Sequence, residues 1–558
     1  MIRRIVAIIE VAILSALILA TRCANYQDVF IGGKIYFVDA DCYARMTRVQ
    51  MCDVKPGLIV RHHAFENFPQ GTTPHTTAPL DYLILGLSTL IVAARPAVAP
   101  YHLDLAGAFV SPLLALLGGW FLWWWSQKMK FRYRWVMLVL YAISPILVHG
   151  TELGRPDHQS LSILLVTIAI CAEWRLQNLQ AICLPKSFSR GGGLETAAPC
   201  LAGDAIRESR MSWRLRAWSV TSGAAWALAI WVSAYEPLVL FLIVIITTFL
   251  VNRRALFGRD RRAGWILFAA IIAVALLIER RIPSLSILHP DPIFNNWART
   301  IGELVNVSPA NPVWLRWCGY FFLITPFLIW MSVRTRRDRA PGGRALPIYV
   351  LLIATYLLTI WQARWGYFFV LISALALPAL LEPIKSRAAV WVAFVLSIYP
   401  ILRDWDERLW PDETQLARRA EQRNESVQIR DLALSLQSSQ TRPFVAPWWL
   451  SPSIAYWSGQ PGVAGSSHES LSGTEDSARF SLCEDLQKAR EILKQREAAW
   501  VFAYDSDRVA QNSAAVLNQS SPVNPLCRVL DRTPGQAPPF LVFSAQNAAC
   551  KLYRTIIK

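Results

Sequence analysis

Long apolar stretches alternate with short polar connections along the first 403 residues of this chain. The first apolar run extends from Ile5 to Thr21, after two arginines. Further stretches of roughly bilayer-spanning length lie at 80–97, 104–125, 134–149, 160–178, 217–234, 237–252, 263–279, 313–333, 346–361, 366–383 and 388–403. This pattern predicts a polytopic α-helical membrane protein.

The first run has the length of a cleaved signal peptide, and Cys23 follows it as in a lipoprotein signal. Arg22 stands immediately before Cys23, however, where cleavage requires a small residue. Many more apolar segments follow as well. We therefore interpret Ile5 to Thr21 as a first anchor helix.

Clusters of lysine and arginine indicate the cytoplasmic connections. They lie at 128–134, 186–216, 253–262, 334–344 and 385–387. If 80–97 and 104–125 both crossed, the cluster at 128–134 would fall outside, so one of them does not span. We assign this role to 80–97, which contains Asp81 and ends at Arg95 and Pro96. About eleven crossings remain, with thirteen as the upper bound.

This topology places four parts of the chain on the same outer face: residues 22–103, 150–159, 280–312 and everything beyond about 404. The final segment loses long apolar runs and gains short strand-like pieces at 499–504 and 540–544. We predict a transmembrane catalytic domain at 1–403 and a soluble extracytoplasmic α/β domain at 404–558. The expected location is a plasma or bacterial inner membrane.

Composition agrees with the membrane assignment, because 54% of the residues are hydrophobic, 17% are charged and 24 are tryptophan. A soluble domain of this size does not bury so much apolar surface. The net charge of +17 is largely a topology signal from the basic loops. It gives little reason to expect a nucleic-acid partner.

Three acidic clusters fall on the predicted outer face. Asp39 and Asp41 form a D-x-D in FVDADCYARMTRV, and Asp157 and His158 lie in the tight loop GRPDHQS. Glu303 belongs to TIGE, in the loop before the stretch at 313–333. Carboxylates are the hard oxygen ligands that Mg²⁺ and Mn²⁺ prefer. Taken singly, each cluster is equally compatible with an ordinary hydrated loop.

The order of these motifs resembles the catalytic subunit of oligosaccharyltransferase, a member of the GT-C membrane glycosyltransferases. The resemblance covers most of the chain. That family has an acidic motif after its first helix, then G-x-x-D, T-I-x-E and WWDYG motifs. Here the series reads DADCYAR, GRPDHQS, TIGE and Trp448-Trp449-Leu450-Ser451-Pro452, with Gln362-Ala363-Arg364-Trp365 as a fifth match.

The resemblance implies metal-dependent glycosyl transfer from a polyprenyl-phosphate-linked donor to a protein or glycolipid acceptor. Asp41, Asp157 and Glu303 would be the catalytic residues and would bind a divalent cation, Mg²⁺ or Mn²⁺. Asp39 is the alternative to Asp41: the arginines Arg45 and Arg48 favour Asp39, whereas the D-x-Y spacing favours Asp41, which we prefer.

The other candidate residues would bind the metal, the donor or the acceptor of the same reaction. His158 is a further metal candidate, and Glu303 is an alternative acceptor contact. Arg364 would bind the donor phosphate, since a guanidinium suits phosphate oxygens; the alternative is an interfacial anchor. His75, in GTTPHTTAP, is a candidate phosphate contact or a plain loop histidine. The acceptor-binding candidates are Trp448, Trp449 and Glu303.

The chain also departs from the family. Leu450 stands where the WWDYG motif has an aspartate that helps to recognise the acceptor, and leucine cannot accept that hydrogen bond. Gln159 occupies the place of a second acid or histidine in the G-x-x-D motif, and two crossings fewer separate the second and third motifs. Transfer to an asparagine sequon is therefore not implied.

Three functions compete. The first is oligosaccharyltransferase-like glycosylation of protein, and the second is a GT-C enzyme that moves one sugar from polyprenyl phosphate to a lipid or surface polysaccharide. The third, a transporter, predicts ionisable residues inside the helices. The sequence offers Glu10 as the one carboxylate well within a spanning segment, which favours the enzymes.

Overall fold

A computed structural model describes residues 2–183, 202–281, 291–337 and 346–556 of the chain. Parts of the predicted outer loop 280–312 and of the basic clusters 186–216 and 334–344 lie outside these residues. The first half of the described chain forms helices α1 Ile2–Arg22, α2 Tyr26–Val29, α3 Ala40–Val54, α4 Ala78–Ala94, α5 His102–Met129, α6 Arg134–Ile143, α7 Pro145–His149, α8 His158–Cys183, α9 Ala202–Val232, α10 Tyr235–Phe257 and α11 Arg259–Glu279.

The second half continues with helices and a small sheet. The helices are α12 Pro292–Ala298, α13 Val313–Cys318, α14 Phe321–Arg337, α15 Leu346–Trp361, α16 Gly366–Leu381, α17 Arg387–Ser397, α18 Tyr399–Leu409, α19 Glu413–Leu434, α20 Ser451–Ser458, α21 Leu471–Leu482, α22 Leu486–Gln495, α23 Ser506–Leu517 and α24 Leu526–Arg532. The strands of the whole chain are β1 Phe30–Ile31, β2 Lys34–Ile35, β3 Phe444–Val445, β4 Trp500–Tyr504, β5 Leu541–Gln546 and β6 Cys550–Thr555.

Six of the described helices are long and apolar enough to cross a membrane, namely α1, α5, α8, α10, α11 and α16. The bent pair α17 and α18 raises that number to seven. The apolar helices α4, α6, α14 and α15 have at most 17 residues, and the predicted segment 217–234 coincides with the end of α9 up to Val232. The chain is thus a multi-pass helical membrane protein, and the figure of eleven crossings stays a prediction.

The helices differ in how much protein surrounds them. In the span of α16, 89% of the residues are buried, and in that of α8, 83%, against 17% in α1 and α11. A helix that is apolar all round and covered by protein belongs to the centre of a bundle, whereas an exposed apolar helix faces lipid. Consequently α8 and α16, which begin at the second and fifth motifs, form the interior.

One statement from the sequence is wrong. Glu10 is not the only carboxylate well within a spanning segment, because Glu173 lies inside α8. Glu173 accepts hydrogen bonds from Arg261 at 2.8 Å and from the hydroxyl of Ser222. Glu10 pairs with Arg134. Each carboxylate is therefore neutralised by an arginine, as a charge in a low-dielectric bundle requires.

Helix α4 is held to α3 by a buried ion-pair network. The carboxylate of Asp81 accepts from Arg45 at 2.7 Å and from Arg48 at 2.5 Å, and all three side chains are almost completely buried. Arg45 also donates to the carbonyl of Thr77. The two arginines of the first motif thus fix the first turn of α4, the segment that we predicted not to cross.

The C-terminal part contains a four-stranded mixed sheet with the strand order β3-β4-β6-β5. β3 runs parallel to β4, and the other two pairs are antiparallel. The predicted strands at 499–504 and 540–544 are confirmed as β4 and β5. Residue 404, our predicted domain boundary, falls inside α18, and the division into two domains stays a prediction.

The C-terminal part packs directly against α3 and the start of α5. Tyr43 of α3 contacts the rings of Tyr456 and Trp457 at centroid distances of 5.7 and 5.0 Å. The hydroxyl of Tyr456 donates to Asp104, at the start of α5. These contacts bring α20 next to the first acidic motif, which neither hydropathy nor charge patterning predicts.

Candidate active site

The first motif starts helix α3. Asp39 is its N-cap, and one carboxylate oxygen accepts from the backbone N–H of Cys42 at 3.0 Å, the usual role of an aspartate before a helix. The other oxygen pairs with Arg155 at 3.0 Å. Both oxygens of Asp39 are therefore engaged by the protein itself.

Asp41 lies in the first turn of α3 and faces an open cavity. Asp41 is open to the solvent of this cavity, but desolvation by the protein around the cavity, together with the charges of Asp39 and Asp157, raises its pKa to about 8. A carboxylate among carboxylates loses its proton reluctantly unless a cation compensates the charge. Of the two acids of the D-x-D, Asp41 has the less committed side chain, and its role as a metal ligand stays a prediction.

The second motif forms a tight turn against the first. Gly154 adopts φ +76°, and a Cβ there would meet a methyl of Val29 at 2.7 Å, so glycine is required at this position. The Gly154 carbonyl accepts from the N–H of Val38 at 3.0 Å. The turn thereby joins the segment before Asp39 to the segment before Asp157.

Asp157 is buried next to His158 at the start of α8. One oxygen of Asp157 lies 2.7 Å from Nδ1 of His158 and also accepts from the His158 backbone N–H at 2.6 Å. Burial alone would raise the pKa of Asp157, but the charge and hydrogen bonds of His158 bring it below its ordinary value. Asp157 therefore carries its negative charge at neutral pH.

The third and fifth motifs are joined by their backbones. The N–H of Arg364 donates to the Glu303 carbonyl at 2.8 Å, and that of Ala363 donates to Val305 at 2.9 Å. The Glu303 carboxylate accepts from the hydroxyl of Tyr367 at 2.8 Å. Gln159 approaches its other oxygen at 3.4 Å, so the second motif reaches the third.

Arg364 has a partner that the sequence did not suggest. Its guanidinium pairs with Glu236, at the start of α10, and lies 5.7 Å from the ring centroid of Tyr235. The Nε of Arg364 is buried and has no partner. Arg364 is thus held by the bundle and keeps one donor for another group.

His75 lies near the same acids but contacts the C-terminal part. Its Nδ1 is 3.0 Å from Oε1 of Glu469, and the ring of His468 lies 4.8 Å away between centroids. The ring of His158 is 6.2 Å distant. The predicted outer loop and the turn before α21 therefore meet beside the second motif.

The tryptophan pair, Trp448 and Trp449, lies next to the segment that contains the third motif. The ring of Trp448 is 5.9 Å from that of Trp297 and packs in one apolar cluster with Ile301. Trp449 lies under the guanidinium of Arg508 at 5.3 Å. Both indole N–H groups are buried and unpaired. Leu450, the departure from the family, precedes α20 and is partly buried among apolar residues.

Two cavities share three of the predicted site residues, Asp41, Glu303 and Arg364. Cavity A, of about 130 Å³, is lined by Asp41, Glu303 and Arg364 together with His75, Thr76, His158, Gln159, Val232, Ser233, Ala234, Tyr235, Phe294, Trp297, Ile301, Leu304, Ser466, Ser467 and His468. Cavity B, of about 690 Å³, is lined by the same three residues and, among others, by Asp39, Arg155, Tyr367, Arg408, Trp448, Trp449 and Arg508.

The predicted ligands share these walls without forming a compact set. Asp157 lines a third space, cavity C, of about 50 Å³, which also contains Asp41 and His158. Among the described residues, one group of three His, Cys, Asp or Glu side chains has all its ligand atoms within 4.8 Å, and it consists of His75, His468 and Glu469. The acids Asp41, Asp157 and Glu303 fit a divalent cation by chemistry and charge, although not by present spacing.

Several residues of the site were missed by the sequence. They are Arg155, Glu236, Tyr367, Ser466, His468 and Glu469. Arg155 stands within the GRPDHQS motif and Tyr367 follows Arg364 by three positions, so both were within reach of motif analysis. Glu236 and the 466–469 turn belong to segments without a recognisable motif, and only the tertiary contacts show that they belong to the site.

No protein-family model and no curated protein matches this chain. Solved structures do match over nearly its full length. Archaeal oligosaccharyltransferase AglB from Archaeoglobus fulgidus, in complex with an inhibitory peptide and a dolichol-phosphate, aligns with a TM-score of 0.67 at 14% identity, covering 91% of this chain and 70% of that one. The same enzyme tethered to an acceptor peptide with the NVT sequon gives 0.64 at 13% identity, covering 88% and 68%.

A second kind of enzyme has the same fold. ArnT from Cupriavidus metallidurans, bound to undecaprenyl phosphate, aligns with a TM-score of 0.55 at 14% identity and covers 99% of this chain and 98% of that one. At such identities the likeness establishes the fold. The chain has a GT-C-type fold, as the motif series implied.

Proposed function

We propose that this chain is a membrane glycosyltransferase that moves a glycan from a polyprenyl-(pyro)phosphate donor to an acceptor on the outer face of the membrane. The observation that carries the proposal is the meeting of cavities A and B at Asp41, Glu303 and Arg364. Transfer between two substrates requires two binding spaces with one common wall, where the reacting atoms meet.

Cavity A suits the donor. It combines the guanidinium of Arg364 with the imidazoles of His75 and His158, and with the apolar surfaces of Tyr235 and Trp297. A phosphate oxygen would accept from the unpaired Nε of Arg364. AglB and ArnT, which have this fold, were solved with dolichol-phosphate and undecaprenyl phosphate, and both ligands are polyprenyl-type phosphates.

The two acids at the common wall, together with Asp157 in the adjoining cavity C, would hold a divalent cation. Asp41, Asp157 and Glu303 are the proposed ligands, with His158 and Asp39 as the alternatives. When bound, Mg²⁺ or Mn²⁺ would offset the negative charge that grows on the leaving phosphate. Asp39 is the weaker candidate because one of its oxygens already accepts a hydrogen bond from the N–H of Cys42 and the other pairs with Arg155.

Cavity B suits the acceptor. Trp448 and Trp449 offer flat apolar surfaces, and Glu303 also lines the cavity. The acceptor heteroatom would attack the anomeric carbon from this side while the bond from that carbon to the donor phosphate oxygen breaks. Arg364 stabilises the departing phosphate, and the acceptor's proton passes to a carboxylate at the wall or to water.

Two acceptor classes remain in the proposal. The leading one is protein, as in an oligosaccharyltransferase, because the Trp448-Trp449 pair and the TIGE motif both line or adjoin cavity B. The second is a lipid or surface polysaccharide that receives one sugar from a polyprenyl phosphate. Leu450 favours this second class, since it removes the acid that recognises a protein acceptor, and so does the full-length likeness to ArnT.

Reconstituted full-length protein separates these functions. We expect covalent transfer in the presence of Mn²⁺ when two donors, an oligosaccharide on polyprenyl pyrophosphate and a monosaccharide on polyprenyl phosphate, are offered with peptide and glycolipid acceptors. Mass spectrometry of the products identifies the donor and the acceptor. A glycopeptide supports the first class and a glycolipid the second. Uptake of solute without any covalent product would instead indicate the transporter.

Variants of the three proposed metal ligands test the catalytic assignment. Asp41→Ala, Asp157→Ala and Glu303→Ala should each abolish transfer while the protein still inserts into membranes. Asp53→Ala is the matched control, because Asp53 is exposed at the other end of α3. Full activity of the three variants, or of the wild type in the presence of a chelator, would contradict the metal-dependent mechanism.

A further inference from the structure

A histidine-glutamate cluster lies between the first outer loop and the C-terminal part. His75 comes from the loop before α4, and His468 and Glu469 come from the turn before α21. Their ligand atoms all lie within 4.8 Å of one another. The Glu469 carboxylate is the centre of the cluster, with Oε1 at 3.0 Å from Nδ1 of His75 and 3.1 Å from Nε2 of His468.

These separations are close to those of a coordination sphere. Ligand atoms at about 2.0–2.2 Å from a tetrahedral Zn²⁺ lie roughly 3.3–3.6 Å apart. The Glu469 oxygen and each of the two histidine nitrogens therefore need to separate by only a few tenths of an ångström to admit an ion. The two nitrogens already lie within 4.8 Å of each other.

Cavity C provides a second, independent observation. Glu66 lines this space and is 5% exposed, yet its Oε1 has no hydrogen-bond partner. Its other oxygen accepts from the hydroxyl of Ser467 at 3.2 Å, immediately beside His468 in the chain. A buried carboxylate oxygen without a partner is costly. It indicates that positive charge is missing from this space.

The charges around cavity C do not balance. Its acidic walls are Asp41, Glu66, Asp157 and Glu469. The arginines that line it, Arg45 and Arg48, both bind the buried carboxylate of Asp81. A cation bound by Asp41, Asp157 and Glu303 would compensate the charges of Asp41 and Asp157. Apart from these two arginines, Glu66 and Glu469 would then have only histidines as neighbours that can carry positive charge in this cavity.

We propose that His75, His468 and Glu469 bind a divalent cation of the Zn²⁺ type, separate from the cation of Asp41, Asp157 and Glu303. Two imidazoles and one carboxylate are a donor set that suits Zn²⁺ better than Mg²⁺. Three protein ligands leave a coordination position open, which water or a phosphate oxygen in cavity A can occupy. His75, predicted from the sequence as a phosphate contact, would then act through this ion.

The ion would also join two distant parts of the chain. Ligands from the first outer loop and from the 466–469 turn make its affinity depend on the docked arrangement of both segments. Binding to the folded protein alone stabilises it by mass action. The ion would therefore hold the shared wall of cavities A and C in place.

Metal binding to the purified full-length protein tests this site without any assay of transfer. Metal-stripped protein is titrated with Zn²⁺ alone in calorimetry, and thermal unfolding is measured with and without Zn²⁺. We expect one tight site and a rise in unfolding temperature. His468→Ala and Glu469→Gln should each weaken binding at least about 10-fold, the range seen when a metal's supporting groups are removed, and should lose the thermal shift.

Two controls make the outcome specific. His62→Ala should bind Zn²⁺ like the wild type, because His62 is exposed in the same loop and lies outside the cluster. Asp41→Asn should also keep the tight Zn²⁺ site. Tight binding that survives in both cluster variants, or disappears in Asp41→Asn, would overturn the proposal.

Spectroscopy of the wild type covers the case in which a variant fails to fold. Zinc-edge X-ray absorption of the protein with one equivalent of Zn²⁺ should show two imidazole ligands and oxygen. A sphere made of oxygen alone would overturn the assignment. None of these readouts depends on glycosyl transfer, so the failure of the proposed function and of this site are distinguishable.

Discussion

The backbone N–H of Arg364 donates to the carbonyl of Glu303 at an N···O distance of 2.8 Å. This bond fixes a proposed phosphate ligand directly beside a proposed metal ligand, although the two residues come from different loops. The side chain of Arg364 points to Glu236 and that of Glu303 accepts from Tyr367. The backbone thus holds these two residues of the proposed site together, and side-chain substitution can test each role separately.

Loss of the Arg364 guanidinium should weaken donor binding. A hydrogen bond to a charged group contributes about 1.5–3 kcal/mol, so Arg364→Ala should reduce kcat/KM for the donor by roughly 10- to 150-fold. Steady-state kinetics in proteoliposomes at varied donor concentration measure this. Arg316→Ala, at an exposed arginine of α13, should leave kcat/KM unchanged. Equal losses in the two variants would mean that general surface charge attracts the donor.

The stability of the metal-free protein should fall as the pH rises towards 8. Asp41 has a pKa of about 8 in the folded chain against an ordinary value of 3.8. Between these values the folded state binds more protons than the unfolded state, so raising the pH favours unfolding. Thermal unfolding at pH 5 to 9 should show this decline in the wild type and a flatter profile in Asp41→Asn.

Divalent cation should reverse that effect. A cation that binds Asp41 replaces its proton, so added Mn²⁺ should raise the unfolding temperature more at pH 8 than at pH 5. Asp53→Asn is the control with an exposed carboxylate on the same helix. The assignment of Asp41 fails if Mn²⁺ stabilises Asp41→Asn as strongly as the wild type at pH 8.

The tryptophan pair should matter for the acceptor and not for the donor. Trp449→Ala removes an aromatic surface from cavity B, and aromatic contacts contribute about 0.5–1.5 kcal/mol beyond their buried area. We expect a rise of roughly 3- to 10-fold in the KM for the acceptor, while hydrolysis of the donor in the absence of acceptor stays constant. Trp410→Ala, at an exposed tryptophan outside the cavity lining, is the matched control.

Gly154→Ala should disrupt the turn that positions Asp157. The left-handed backbone at φ +76° and the methyl of Val29 at 2.7 Å both oppose a side chain there. A strained residue of this kind costs of order 1–3 kcal/mol, so the unfolding temperature should fall and transfer should be lost. Gly535→Ala meets no atom within 4 Å and should behave like the wild type. Normal stability of Gly154→Ala would contradict the turn.

Local patterns in the sequence were sufficient for the membrane class and for much of the secondary structure. The apolar runs that became α1, α5, α8, α10, α11 and α16, and the strands β4 and β5, were all visible as uninterrupted local composition. Ordered motifs also indicated the GT-C fold. The Gly154 turn could be suspected from its glycine and proline, because the backbone requirement is local.

The tertiary structure alone decided which groups face one another. Hydropathy did not distinguish Glu236, which pairs with Arg364, from any carboxylate at a helix end. The cluster of His75 with His468 and Glu469 joins segments almost 400 residues apart. The hydration of consecutive side chains determines where a chain enters and leaves the membrane, so the spanning segments can be predicted from local sequence. Packing between the helices and the C-terminal sheet determines which residues form the site, and these residues come from distant parts of the sequence.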